Sequence, residues 1–159
     1  MYYLYFQINQ SHIELNDFYN IYANNQEIFQ RDAYRVQSTN RDVTNLEELF
    51  AQFNQTQSSN SGQGQTHSLW RCNRMLPARL LRQLFARPSR LSSMGVALER
   101  YIAVDSALAP AYTLPHTECA NVYIQQALGS RLIILRPTSE CRHSCRTLSL
   151  RLPESFVRK

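Results

Sequence analysis

An α+β architecture follows from three features of this sequence. A capped helical stripe stands in the first third, an arginine-rich amphipathic segment in the middle, and short β-branched runs in the last third. The 159 residues, 43% of them apolar, suffice for one ordinary domain and are too few for two large ones. Mean hydropathy is −0.41, and no run approaches the roughly 18 consecutive apolar residues of a membrane helix. The chain is therefore expected not to be an integral membrane protein.

The net charge of +5 conceals a division. Up to Thr66, seven carboxylates face three arginines, a net charge of −4, and nineteen residues are Asn or Gln. From His67 onward, thirteen arginines and the single lysine face five carboxylates, a net charge of +9, and all four cysteines lie there. The expected organisation is an Asn/Gln-rich region over 1–54, a linker over 55–66 and a basic region over 67–159. The linker stretch, QTQSSNSGQGQT, is polar and aperiodic. Tyr2-Tyr3-Leu4-Tyr5-Phe6 is too short, and lacks the basic start, for a secretory signal. A cytoplasmic, reducing location is the default expectation, with the cysteines as thiols. The sequons at Asn9 and Asn54 are then chance products of an Asn-rich chain.

Taken in order, residues 2–8 (YYLYFQI) are aromatic and β-prone and predict a strand. A helix is expected from Asn16, using Phe18, Ile21 and Tyr22, with Ile28 and Phe29 beyond. Thr44 and Glu47 have capping-box spacing, and Leu46, Leu49, Phe50 and Phe53 form one apolar stripe behind them. Leu76–Arg87 predicts the arginine-rich helix: Pro77 suits its first turn, and Leu80, Leu81, Leu84 and Phe85 share a face. Residues 95–104 (GVALERYIAV) fit helix and strand equally. NVYIQ at 121–125 and RLIIL at 131–135 predict a hairpin across a Gly129 turn, and TLSLRL at 147–152 alternates as a half-buried strand does.

Two groups of residues offer chemistry. Arg71, Arg74, Arg79, Arg82, Arg87 and Arg90 crowd a stretch with no acid before Glu99. The guanidinium fork donates two hydrogen bonds to phosphate, so such a segment can bind nucleic acid or another anionic surface. A solvated arginine face over an ordinary core is the plainer alternative. His116, Cys119, Cys141 and Cys145 are the weak metal candidates, but Cys141-x-His143-x-Cys145 is not a usual half of a zinc site. No metal and no cofactor is expected. No nucleophile elbow or phosphate loop is present, so catalytic residues are not assigned.

One stretch resembles a known family. Leu98, Tyr101, Pro110, Leu114-Pro115-His116, Ala120 and Gly129 stand in an order similar to the first half of a cupin domain, most closely the vicilin-like seed storage globulins. The metal-binding cupins carry G-x5-H-x-H-x3,4-E-x6-G, and here the frame reads Pro110, His116, Glu118, Val122 and Gly129. The resemblance therefore implies the non-catalytic storage branch, with strands over 98–152 forming an incomplete half-barrel. The expected function is non-enzymatic, a truncated cupin-like storage or binding fragment. Two alternatives stay open: an Arg-rich nucleic-acid-binding accessory protein, and a translated open reading frame without selected function.

Overall fold

The computed structural model describes residues 6–7, 13–58, 65–86, 99–115, 122–154 and 156–158. They form four α-helices and small antiparallel sheets, an α+β fold with no closed barrel among them. The chain divides into two compact units, one of Asn16–Thr117 and one of Met1–Leu15 with Glu118–Lys159.

The first unit is built on short-range signals. Helix α1 (Leu15–Asn24) turns Phe18 and Tyr22 inward, and α2 (Gln26–Phe29) adds Phe29 after a break at Asn25. Helix α3 (Leu46–Ser58) starts at Asn45, whose Oδ1 accepts the Glu48 N–H at 2.9 Å. Glu48 Oε2 accepts from the Thr44 N–H at 2.7 Å and the Thr44 hydroxyl at 2.9 Å. The cap is thus Asn45 with Glu48, one residue beyond the predicted Thr44 and Glu47. Asn is as good a cap as Ser or Thr, and it leaves Glu48 at the third helical position, where a carboxylate can turn back. Leu46, Leu49 and Phe50 are buried as their spacing predicts, and Phe53 is half-buried. The helix also runs through Ser58, four residues into the expected linker. Glutamine is a good helix former, and a capped helix propagates cheaply. Residues 59–64 lie outside the described residues.

Strands β2 (Val36–Ser38), β3 (His67–Cys72) and β4 (Arg100–Asp105) form one antiparallel sheet with β3 in the middle. Trp70 pairs with Val36 on one side and Ile102 on the other. The sheet joins the Asn/Gln-rich and basic regions, so the composition break at 55–66 does not separate two folded bodies here. It also resolves 95–104: the β-branched end, from Arg100, is a strand. Between β3 and β4 comes α4 (Met75–Leu80), continued by a 3₁₀ turn at Leu81–Gln83. Pro77 and Leu81 are buried, Leu80, Leu84 and Phe85 half-buried, and Arg79 and Arg82 exposed, as the amphipathic pattern predicts.

Because side chains alternate along a strand, Ser68, Trp70 and Cys72 share one face of β3 and His67, Leu69 and Arg71 the other. The first face meets the helices. Phe18 and Phe29 have ring centroids 5.5 and 5.8 Å from Trp70, and Phe18 and Tyr22 lie 5.2 and 5.4 Å from Phe50. Tilted and edge-on pairs at these separations add to area burial. The indole Nε1–H donates to the Asp32 carbonyl at 2.7 Å, so the fully buried Trp70 leaves no polar atom unpaired.

In the second unit, β1 (Phe6–Gln7) and β5 (Ile124–Gln125) both pair with β8 (Phe156–Arg158). Strands β6 (Ser130–Leu135) and β7 (Leu148–Pro153) form a separate antiparallel pair. The predicted hairpin between 121–125 and 131–135 is therefore corrected. Apolar runs fix strand existence but not partner, and β6 finds a matching alternation in β7, where Leu135, Ile133 and Arg131 oppose Leu148, Leu150 and Leu152. Leu148 and Leu150 are half-buried and Leu152 is buried, so the predicted alternation of 147–152 holds. Gly129, at φ +72°, takes the left-handed conformation just before β6. Strands β4, β5 and β6, all within the cupin-like stretch, belong to three different sheets.

Candidate nucleic-acid interface

The arginines singled out by sequence do not share one fate. Arg71 projects from the His67–Leu69 face of β3 and is bound to Glu99, whose other carboxylate oxygen accepts the Tyr101 hydroxyl at 2.9 Å. The Arg71 guanidinium, then the Tyr101 hydroxyl, holds the Glu99 carboxyl below the usual carboxylate range, and the same carboxylate pushes Arg71 up. Arg71 is thus neutralised locally.

Arg74, Arg79 and Arg82 are different. Arg74 precedes α4 with extended backbone, and its side chain makes no cap. Arg79 and Arg82 stand three residues apart and exposed, on neighbouring positions of the same helical surface. Among the described residues none of the three has a carboxylate partner, and α4 holds no acidic residue in its first turn. Arg79 and Arg82 therefore project from one short segment whose buried side is anchored by Pro77 and Leu81, with the half-buried Arg74 just before it. Arg87 and Arg90 lie outside the described residues.

The face of the β2–β3–β4 sheet that carries His67, Leu69 and Arg71 holds a second constellation. His67 Nδ1 lies 2.9 Å from Asp105 Oδ1 across the β3–β4 ladder, and Tyr112 Oη donates to Asp105 Oδ2 at 3.4 Å. The imidazole stacks on the Tyr112 ring, centroids 3.5 Å apart and 16° from parallel. A carboxylate orients this histidine, but its charge also cancels the histidine's value to an anion. No sequence signal marks these groups. His67 and Asp105 are 38 residues apart and Arg71 and Glu99 are 28 apart, and only the strand register brings them together.

On the covered face, Cys72 Sγ lies 3.6 Å from Oδ2 of the fully buried Asp32, whose Oδ1 is 3.4 Å from Arg35 Nε. Burial first, with the Asp32 charge adding to it, pushes the Cys72 thiol above its ordinary range. This sulfur is a core atom. A shallow groove of about 250 Å³, lined by Tyr22, Glu27, Gln30, Tyr34, Asn45 and Glu47, is acidic and repels an anion.

Of the metal candidates, His116 and Cys119 lie outside the described residues. Cys141 and Cys145 are exposed on a turn of the second unit. Among the described residues no three His, Cys, Asp or Glu side chains gather in a metal-holding group, and no helix is long and apolar enough to cross a membrane. No family model, curated protein or solved structure matches the chain.

Proposed function

We propose that the chain is a non-enzymatic nucleic-acid-binding protein whose contacts to phosphate come from Arg74, Arg79 and Arg82. The observation that supports this is the contrast with Arg71. One arginine of the cluster is consumed by Glu99, whereas the three on and before α4 are left without a carboxylate among the described residues. Arg79 and Arg82, one turn apart, suit successive backbone phosphates, which each accept a bidentate guanidinium. Recognition of this kind reads charge and spacing rather than base sequence.

Salt dependence tests the proposal. Each neutralised phosphate contributes a log–log slope of about −0.9 on duplex DNA, so three contacts give about −2.7. Arg79→Gln with Arg82→Gln, which keeps helix propensity, removes about 1.8 of that slope. Arg71→Gln changes it by less than one contact. A slope that falls equally for Arg71→Gln, or that does not respond to the paired substitution, overturns the proposal. So does binding to anionic vesicles with none to duplex DNA under the same conditions.

A further inference from the structure

We propose that the turn carrying Cys141 and Cys145 is a two-thiolate binding site for a soft monovalent metal ion, copper(I). The turn is built by three backbone hydrogen bonds. Cys141 N–H donates to the Thr138 carbonyl at 3.1 Å, and the Ser144 and Cys145 N–H groups donate to the Cys141 carbonyl at 3.0 and 2.8 Å. The last of these is the i to i+4 bond of one α-helical turn. Residues so related have Cβ atoms about 5–6 Å apart on the same side. Both thiols are exposed and neither is in a disulfide. Taking the zinc–thiolate bond of about 2.3 Å as an upper bound for two-coordinate copper(I), a linear sulfur–metal–sulfur unit spans at most about 4.6 Å. Two sulfurs borne on such Cβ atoms reach that span by side-chain rotation alone.

The donor count selects the metal. Zinc requires four ligands in a tetrahedron, and no third His, Cys, Asp or Glu joins this pair among the described residues. His143 stands two residues from each cysteine, so it projects away from their shared side. The adjacent Glu140 carboxylate accepts the Ser139 hydroxyl at 2.8 Å. Copper(I) is satisfied by two thiolates in line, and thiolate is the ligand type that selects it. Binding releases the two thiol protons and leaves a complex with one net negative charge. The exposed Arg142 and Arg146, beside and between the two sulfurs' positions in sequence, offset that charge. The buried Cys72 has no such access.

The test is an anaerobic titration of the full chain with copper(I), against a coloured copper(I) chelator as competitor. One copper(I) per chain is expected to be withdrawn from the chelator. Cys141→Ser and Cys145→Ser are each expected to weaken this at least a hundredfold, while Cys119→Ser leaves it unchanged. The Cys141→Ser and Cys145→Ser variants should keep the far-UV circular dichroism of the parent, because both residues lie at the surface. Binding that survives either Cys141→Ser or Cys145→Ser overturns the proposal. Loss in Cys119→Ser does the same, as does zinc(II) bound as tightly as copper(I) in the matching titration.

Discussion

Phe29→Ala should remove the centre of the aromatic cluster and measure what holds the first unit together. Phe29 is fully buried, with ring centroids 6.5 Å from Phe18, 5.8 Å from Tyr22 and 5.8 Å from Trp70. Truncating a buried Phe to Ala costs about 3–5 kcal/mol, the upper end applying where neighbours cannot collapse into the gap. Here the surrounding groups are other rings, held from α1 and β3, so the upper half of that range is expected. Against a total stability of about 5–15 kcal/mol, that is a large share of what holds the fold. With a urea dependence of about 2 kcal/mol per molar, the variant's midpoint should fall by about 2–2.5 M. Trp70 is the sole tryptophan and lies in the cluster, so its fluorescence reports the transition directly. Tyr34→Ala, at a side chain 72% exposed, serves as the control and should shift stability by less than about 0.5 kcal/mol. A Phe29→Ala loss below about 1 kcal/mol would refute the argument. So would native Trp70 emission identical to that of the urea-unfolded chain.

Other expectations concern local features. Asn45→Ala removes the cap of α3 and should cost about 1 kcal/mol by urea unfolding, with loss of helical circular dichroism. The Glu48 carboxyl is held below its usual range first by the Thr44 N–H, and Glu99 is held there by Arg71. Because both folded values are depressed, the stability they contribute is full above the unfolded value of about 4.3 and is lost as pH falls through the folded values. Melting temperature should therefore drop on acidification below about pH 4.5, and Glu48→Gln should flatten that fall. In a Cys119→Ser chain at pH 8, two thiols should react rapidly with a disulfide reagent. The third, Cys72, should react only at the rate of unfolding, since burial both shields it and raises its pKa.

What the sequence disclosed was short in range. The stripe Leu46, Leu49, Phe50 and the face of α4 were legible because helical contacts repeat every three or four residues. The cap shifted by one because Thr44 and Asn45 are both competent, and only the backbone path chooses. Strand partners were illegible for a different reason. β6 and NVYIQ are adjacent and compatible, yet β6 pairs with β7, since pairing is a competition among all apolar strands. The candidate site shows the same limit. Six arginines within 71–90 are visible in one dimension, but which are cancelled depends on Glu99, brought to Arg71 by the β3–β4 register.

The division of the chain has a temporal consequence. Asn16–Thr117 is continuous, so every residue of its sheet and helices has been synthesised once Thr117 is joined. The other unit combines Met1–Leu15 with Glu118–Lys159, and β1 pairs with β8, within a few residues of position 159. At about 5–20 residues per second, the ribosome needs a further 2–8 s, roughly, to supply that partner. During that interval β1 has no β8 to join, while Asn16–Thr117 can already be folded. Strand β1 is thus among the last of the described elements to find its partner.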